Sequence, residues 1–243
     1  MSITFVSFGN PLYYASLERL KKEVQAFPFT ECIFVKDTDL MEIHEFWDKH
    51  SKFILENKRG YGYWIWKSFI TLYTLRRINE NDILFYMDAG CSLLESGINK
   101  FLEYINIVNN SASGILSFRM SYKQKSWTKM DIFKHLKADD SQKEYGQLVG
   151  GIFFLKKTKT ILKIVEEWYE TCCNYHLLND EPSIIPNDPS FSENRHDQSI
   201  WSIIRYKYGT EIISETQDCG PEGVTSASHS NRPHNPIHAN RLK

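Results

Sequence analysis

Residues Arg59–Cys91 read RGYGYWIWKSFITLYTLRRINENDILFYMDAGC. The stretch parses as a loop, an amphipathic helix, a buried strand, and a turn of one acid and two small residues. From about Tyr63 the helix carries two adjacent apolar rows, Ile65-Phe69-Leu72 and Trp66-Ile70-Tyr73, so its buried face is wide. Lys67, Thr71 and Thr74 make a separate polar row. After the Asn79-Glu80-Asn81-Asp82 turn, Ile83 to Met87 is apolar without alternation, which predicts a central strand covered on both faces. That strand delivers Asp88 at its carboxyl end, where open α/β sheets present ligand-binding groups. Ala89 and Gly90 follow, small enough to leave room beside the carboxylate.

Upstream, Ile3 to Ser7 predicts a first strand, and Asn10-Pro11 opens a helix with Leu17, Leu20, Val24 and Phe27 at helical spacing. Cys32 to Val35 is a second strand. A right-handed crossover then sets the two strands side by side and parallel. Asp37 to Asn57 is read as helical. Downstream, Gly97 to Val108 and Ile161 to Cys172 are helices, while Gly114 to Phe118 and Leu148 to Leu155 (LVGGIFFL) are strands. Gly150-Gly151 inside the latter implies close approach of a ligand or another backbone. Met120 to Gln147 and Leu178 to Asn194 read as irregular, and Glu211 to Ser214 as a last short strand before a Gly-, Ser-, Pro-, Asn- and His-rich tail. In the helix from about Arg195 to Tyr208, Asp197, Trp201, Ile204 and Tyr208 share one row, so Asp197 heads the inward side.

The chain has 243 residues, 42% of them hydrophobic and 14% aromatic, enough for one α/β domain with a substantial core. A net charge of -1 leaves no electrostatic footprint for nucleic acid. No apolar run approaches the roughly 18 residues of a membrane span. The five cysteines form no CxxC pair, and Cys172 and Cys173 are adjacent, so reduced thiols and a cytoplasmic location, with docking at a membrane surface left open, are the expectation.

Each candidate has a plainer reading beside the functional one. Asp88 is either a metal- or ribose-contacting carboxylate or a turn-forming aspartate before Gly90. Lys67 is either a mobile charge for a diphosphate or a snorkelling surface lysine. Arg59 with Gly60 and Gly62 is either a phosphate-binding loop ahead of a helix or a simple turn. Asp197 is either a base or charge-stabilising carboxylate on a rigid helix, or a favourable charge in a first helical turn. His196 beside it is a partner or an exposed residue. His229, His234 and His238 do not match a structural zinc spacing.

Three blocks, Gly60–Lys67 (GYGYWIWK), Ile83–Cys91 (ILFYMDAGC) and the pair Leu148–Phe154 (LVGGIFF) with Arg195–Ser199 (RHDQS), together resemble a glycosyltransferase of the GT-A fold. The resemblance covers about residues 59 to 205. It implies a Rossmann-type, mostly parallel mixed sheet flanked by helices, in a single domain over 1–243. About residues 1–118 would form the nucleotide-sugar-binding half and about 119–243 the acceptor-side half and C-terminal tail. It implies that Lys67 and Asp197 are catalytic. It also implies that Phe8, Arg59, Lys67, Asp88, Ala89, Gly90, Gly150, Gly151, His196 and Gln198 line the donor site. Mn²⁺ or Mg²⁺ is expected on Asp88 with a tail histidine, His229, folding back to it. The third position of the Asp-x-Asp motif is Gly90, so one of the usual carboxylates is missing.

The function so implied is transfer of a hexose from a UDP- or GDP-sugar to a hydroxyl on a glycan, a lipid-linked acceptor or a protein. The alternative is a non-catalytic sugar- or nucleotide-binding module on a degenerate transferase fold, for which Gly90 and the abundance of tryptophan speak. A nucleotidyltransferase would want a glycine- and base-rich loop after the first strand, and Ser7-Phe8-Gly9-Asn10 is poor in both. A haloacid-dehalogenase-like phosphatase needs an aspartate two residues after Asp88, which Gly90 excludes in its simple form.

Overall fold

The structure, a computed structural model, describes residues 1–213, 224–226, 234–240 and 242–243. It opens with β1 (Ile3–Gly9), α1 (Tyr14–Glu23) and β2 (Glu31–Lys36), followed by α2 (Asp37–Glu42) and α3 (His44–Glu56). A single turn, α4 (Gly60–Tyr63), leads into α5 (Ile65–Leu75) and β3 (Ile83–Met87). Then come β4 (Ser92–Leu93), α6 (Ile98–Asn110), β5 (Ile115–Lys123), α7 (Met130–His135) and β6 (Gly146–Lys156). The chain continues with α8 (Lys159–Cys172), α9 (Tyr175–Leu178), α10 (Asp197–Tyr208), β7 (Glu211–Ile213), β8 (Val224–Ser226) and β9 (Ile237–Ala239).

Six strands form one sheet in the order β2-β1-β3-β6-β5-β7, and β4, β9 and β8 form a second, small one. β1 is parallel to both β2 and β3, as the crossover rule requires, and β5 is parallel to β7. Within the large sheet, β6 alone among the described strands runs against its neighbours. The large sheet is therefore mixed and mostly parallel.

Strand alternation distributes the core over two layers. From β3, Ile83, Phe85 and Met87 pack with Leu17 and Leu20 of α1 and Phe101 and Tyr104 of α6. Leu84 and Tyr86 face the other way, into the layer built by α3, α5, α8 and α10. Every residue of β3 is buried, which is why its sequence shows no polar alternation. Trp168 of α8 stacks on Trp201 of α10 at 4.4 Å, both fully buried, and fixes α10 over the sheet.

Several sequence expectations need correction. The helix read from Tyr63 begins at Ile65, because Gly60, Tyr61, Gly62, Tyr63 and Trp64 all have positive φ (58°, 55°, 81°, 52° and 62°). This is a left-handed turn, which costs an L-residue roughly 1–2 kcal/mol each, so Tyr61, Tyr63 and Trp64 are held there by packing. Trp66 supplies one clamp: its indole N–H donates to the Gly60 carbonyl at 2.9 Å and its ring stacks on Phe8 at 3.9 Å. The stretch 120–147, read as irregular, continues β5 to Lys123 and contains α7, which buries Ile132 and Phe133.

Candidate active site

Strand periodicity places the central group. Residues two apart on a strand share a face, so Asp88, just beyond β3, follows Tyr86 toward α5 and α10. There the Lys67 ammonium lies 3.0 Å from Asp88 Oδ1 and 3.5 Å from Asp197 Oδ2, with a longer donation to Asp88 Oδ2 at 3.3 Å. Lys67 and Asp197 are almost wholly buried, at 4% side-chain exposure each, and Asp88 is 38% exposed. One ammonium thus serves two acids from different ends of the chain, on the end of the sheet where β3 stops. The surface-lysine reading of Lys67 fails for a simple reason: its row, with Thr71 and Thr74, is buried under α10 and the sheet.

The electrostatics follow from burial. Desolvation works against a charged Lys67, but Asp197 and Asp88 together outweigh it and hold the ammonium above its ordinary value. Asp197 bears the cost. Burial pushes its carboxyl up to about 7, with Lys67 pulling down and Asp88 pushing further up. Its Oδ2 has no hydrogen-bond partner among the described residues. Tyr86, which the sequence reading missed, donates its hydroxyl to Asp88 Oδ1 at 2.7 Å, and burial raises its phenol well above normal.

The glycine pair in β6 meets this cluster from the neighbouring strand. Met87 pairs with Ile152, and the Asp88 N–H donates to the Gly151 carbonyl at 2.8 Å. Gly150 is pressed against Gln198, where an added Cβ would fall 2.7 Å from the Gln198 Cβ. Gln198 accepts from the Gly150 N–H (2.9 Å) and donates to Gln147 (2.7 Å), so its amide ties α10 to β6. Arg205, also missed, lies fully buried on the same helix and donates to Ser117 and to the Val149 carbonyl; burial pushes it down to about 9.

The remaining predicted residues stand around this cluster in different ways. His196 is buried, donates from Nδ1 to the Leu178 carbonyl (2.8 Å), and stacks on the rings of Tyr63 (4.9 Å) and Trp64 (5.2 Å). Its burial pushes the imidazole down to about 4, so it is a neutral brace at the start of α10. Arg59 pairs with Asp180 and Glu193 across the surface loop. Phe8 is buried against Trp66 and Tyr61. Ala89 and Gly90 are buried rather than open: Arg19 takes the Ala89 and Cys91 carbonyls, and the Leu242 N–H donates to the Gly90 carbonyl (3.0 Å). His229 lies outside the described residues. The tail histidine that does fold back is His238, on β9 opposite Ser92, with an unpartnered buried Nε2.

The donor set around Asp88 fits a divalent cation poorly. Such an ion wants about six oxygen ligands, and the turn offers one carboxylate whose Oδ1 already receives Tyr86 and Lys67. No group of three His, Cys, Asp or Glu residues able to hold a metal occurs among the described residues. A divalent ion on Asp88 within about 5 Å of the ammonium would be repelled by roughly 7 kcal/mol at an effective dielectric near 20, before any ligand anion is counted.

No protein-family model matches the chain, and no curated protein matches it in sequence. Solved structures match it in shape. A glycosyltransferase involved in glycosylation of the major capsid of PBCV-1 superposes with a TM-score of 0.52 at 11% identity, over 98% of this chain and 94% of that one. Mouse xyloside xylosyltransferase 1 gives a TM-score of 0.50 at 10% identity, over 99% and 98%. At these identities the likeness is one of fold, and the fold is that of the GT-A glycosyltransferases. No helix among the described residues is long and apolar enough to cross a membrane.

Proposed function

We propose that this chain is a glycosyltransferase that moves a hexose from a UDP- or GDP-sugar to a hydroxyl acceptor on a glycan, a lipid-linked sugar or a protein. The observation that carries the reading is the meeting of Lys67 with Asp88 and Asp197 at the carboxyl end of β3, in a fold shared with glycosyltransferases. In the transfer, the bond from the anomeric carbon to the diphosphate oxygen breaks as the acceptor oxygen bonds to that carbon. Asp88, the exposed acid, accepts a hydroxyl of the donor. Lys67 holds positive charge beside the departing diphosphate, and Asp197 takes the acceptor proton or answers positive charge on the sugar. A carboxyl poised near 7 suits proton acceptance at neutral pH. The acceptor side is the loop before α10, where a groove of about 180 Å³ is lined by Lys129, Asp180, Ser183, Asn187 and Glu193.

Incubation with a panel of nucleotide-sugars tests this directly. Release of UDP or GDP is expected, lost in Asp197→Asn while donor binding persists. No release and no melting shift with any donor would remove the proposal. A binding module without turnover is the second reading, favoured by the depth at which Asp197 is buried. It stands if affinity is found and turnover never is.

A further inference from the structure

A nucleotide-diphosphate site must offset negative charge, and the usual device is a divalent cation held by two or more carboxylates. In this chain the second carboxylate position of the turn is Gly90, whose carbonyl is occupied by the Leu242 N–H. The first, Asp88, is enclosed on three sides. Tyr86 donates to Oδ1 at 2.7 Å, the Lys67 ammonium reaches both oxygens at 3.0 and 3.3 Å, and the Gly151 backbone packs against Oδ2. The ammonium is not a drifting surface group. Its side chain is 4% exposed, anchored between Asp88 and Asp197, and flanked by the rings of Tyr86 (5.4 Å) and Trp66 (5.7 Å), which favour a cation. Its hydrogen bond goes to Asp88, while Asp197 Oδ2 stands 3.5 Å away as an ion pair without a hydrogen bond, so the ammonium keeps donor capacity for a ligand oxygen.

We propose that Lys67 is the permanent counter-charge of this site, so that nucleoside diphosphates bind without a divalent cation. The inference rests on the transferase reading above and specifies how that site meets its donor. Asp88 then serves as a hydroxyl acceptor already balanced by its ammonium, and the diphosphate meets a fixed cation of the protein rather than an exchangeable one. His238, paired with Ser92 on the strand after the turn, has an unpartnered Nε2, and the test addresses it.

The full chain, stripped of metal, is titrated calorimetrically with UDP and with GDP, once in EDTA and once in excess Mn²⁺ or Mg²⁺. Affinities in the two conditions are expected to agree within about threefold, and Lys67→Met, checked for a cooperative melt, is expected to weaken binding at least tenfold. Tightening of tenfold or more on adding metal overturns the proposal, and its loss in His238→Ala would assign the cation to the tail. Should Lys67→Met fail to fold, the comparison of EDTA with metal on the unaltered chain decides alone. Binding of neither nucleotide in either condition removes the transferase reading and this inference together, whereas metal-dependent binding removes the inference alone.

Discussion

A Cβ placed on Gly151 would lie 2.3 Å from Oδ2 of Asp88, two residues 63 positions apart in sequence and joined through the register of β3 with β6. The contact explains why the middle of a buried strand carries a glycine that packs nothing: the carboxylate occupies the space a side chain would need.

Gly151→Ala is therefore expected to displace the Asp88 carboxylate from Lys67 and Tyr86. Because its φ is not in the left-handed region, the cost to folding is that of overpacking, about 1–3 kcal/mol. Affinity for UDP or GDP should fall at least tenfold, a loss of about 1.4 kcal/mol. Unchanged affinity in a folded variant would show that Asp88 does not touch the donor.

Removing the shared cation should be costly. Lys67→Met leaves Asp197 buried without its partner, and breaking a buried pair costs about 3–5 kcal/mol. Asp88, being partly exposed, recovers water and contributes less. The double variant Lys67→Met with Asp197→Asn is expected to regain most of the loss in urea unfolding. Equal instability of single and double variants would mean that the pair is not coupled.

Asp197 also sets a pH dependence with a definite sign. An ordinary aspartate titrates near 3.8, and burial lifts this one to about 7, so the folded chain keeps a proton that the unfolded chain has released. Its contribution to stability is complete below about 3.8 and is lost as pH rises through about 7. The stability of the unaltered chain relative to Asp197→Asn should fall across that window and level off above it. Transfer, if Asp197 is the base, should rise with pH over the upper part of the same range. A flat difference between the two chains would refute the placement of the proton.

On the acid side His50 acts in the opposite sense. Its ring is fully buried, with hydroxyls of Tyr175 and Tyr169 each 2.8 Å from one nitrogen, and burial, helped by Lys49, pushes it down to about 4. The unfolded chain binds that proton first, so stability is lost as pH falls from about 6.5 toward about 4. His50→Gln should flatten this slope in thermal melts, although His196, pushed down to a similar value, keeps part of it.

Much of this was open to a reading of the chain alone. The strands β1, β3 and β6 are legible because burial on both faces leaves unbroken apolar runs, and the inward row of α10 because Trp201 and Ile204 mark its side. Lys67, Asp88 and Asp197 are each legible as candidates from their places in the chain, but that one ammonium stands between both acids is a matter of tertiary packing. Tyr86 was within reach of the same rule that places Asp88, since the two stand two residues apart on one strand. Other features depend on information that periodicity lacks. The sign of φ at Tyr61, Tyr63 and Trp64 is invisible in a hydrophobic pattern, and the press of Gly151 on Asp88 depends on strand register between distant segments. That His238 pairs beside the turn is equally hidden, for β9 has three residues and little apolar signal.

The left-handed turn at 60–64 has a consequence for anyone wishing to alter what this protein recognises. Randomising those positions would return mostly non-folding clones, because an added Cβ at Gly60 strikes the Trp64 indole at 2.4 Å and one at Gly62 strikes Ile54 at 2.7 Å. Variation there is throttled by handedness rather than by chemistry. Engineering effort is better aimed at Asp180 and Glu193, which are tethered by partly exposed ion pairs with Arg59 and can be exchanged without inverting the backbone.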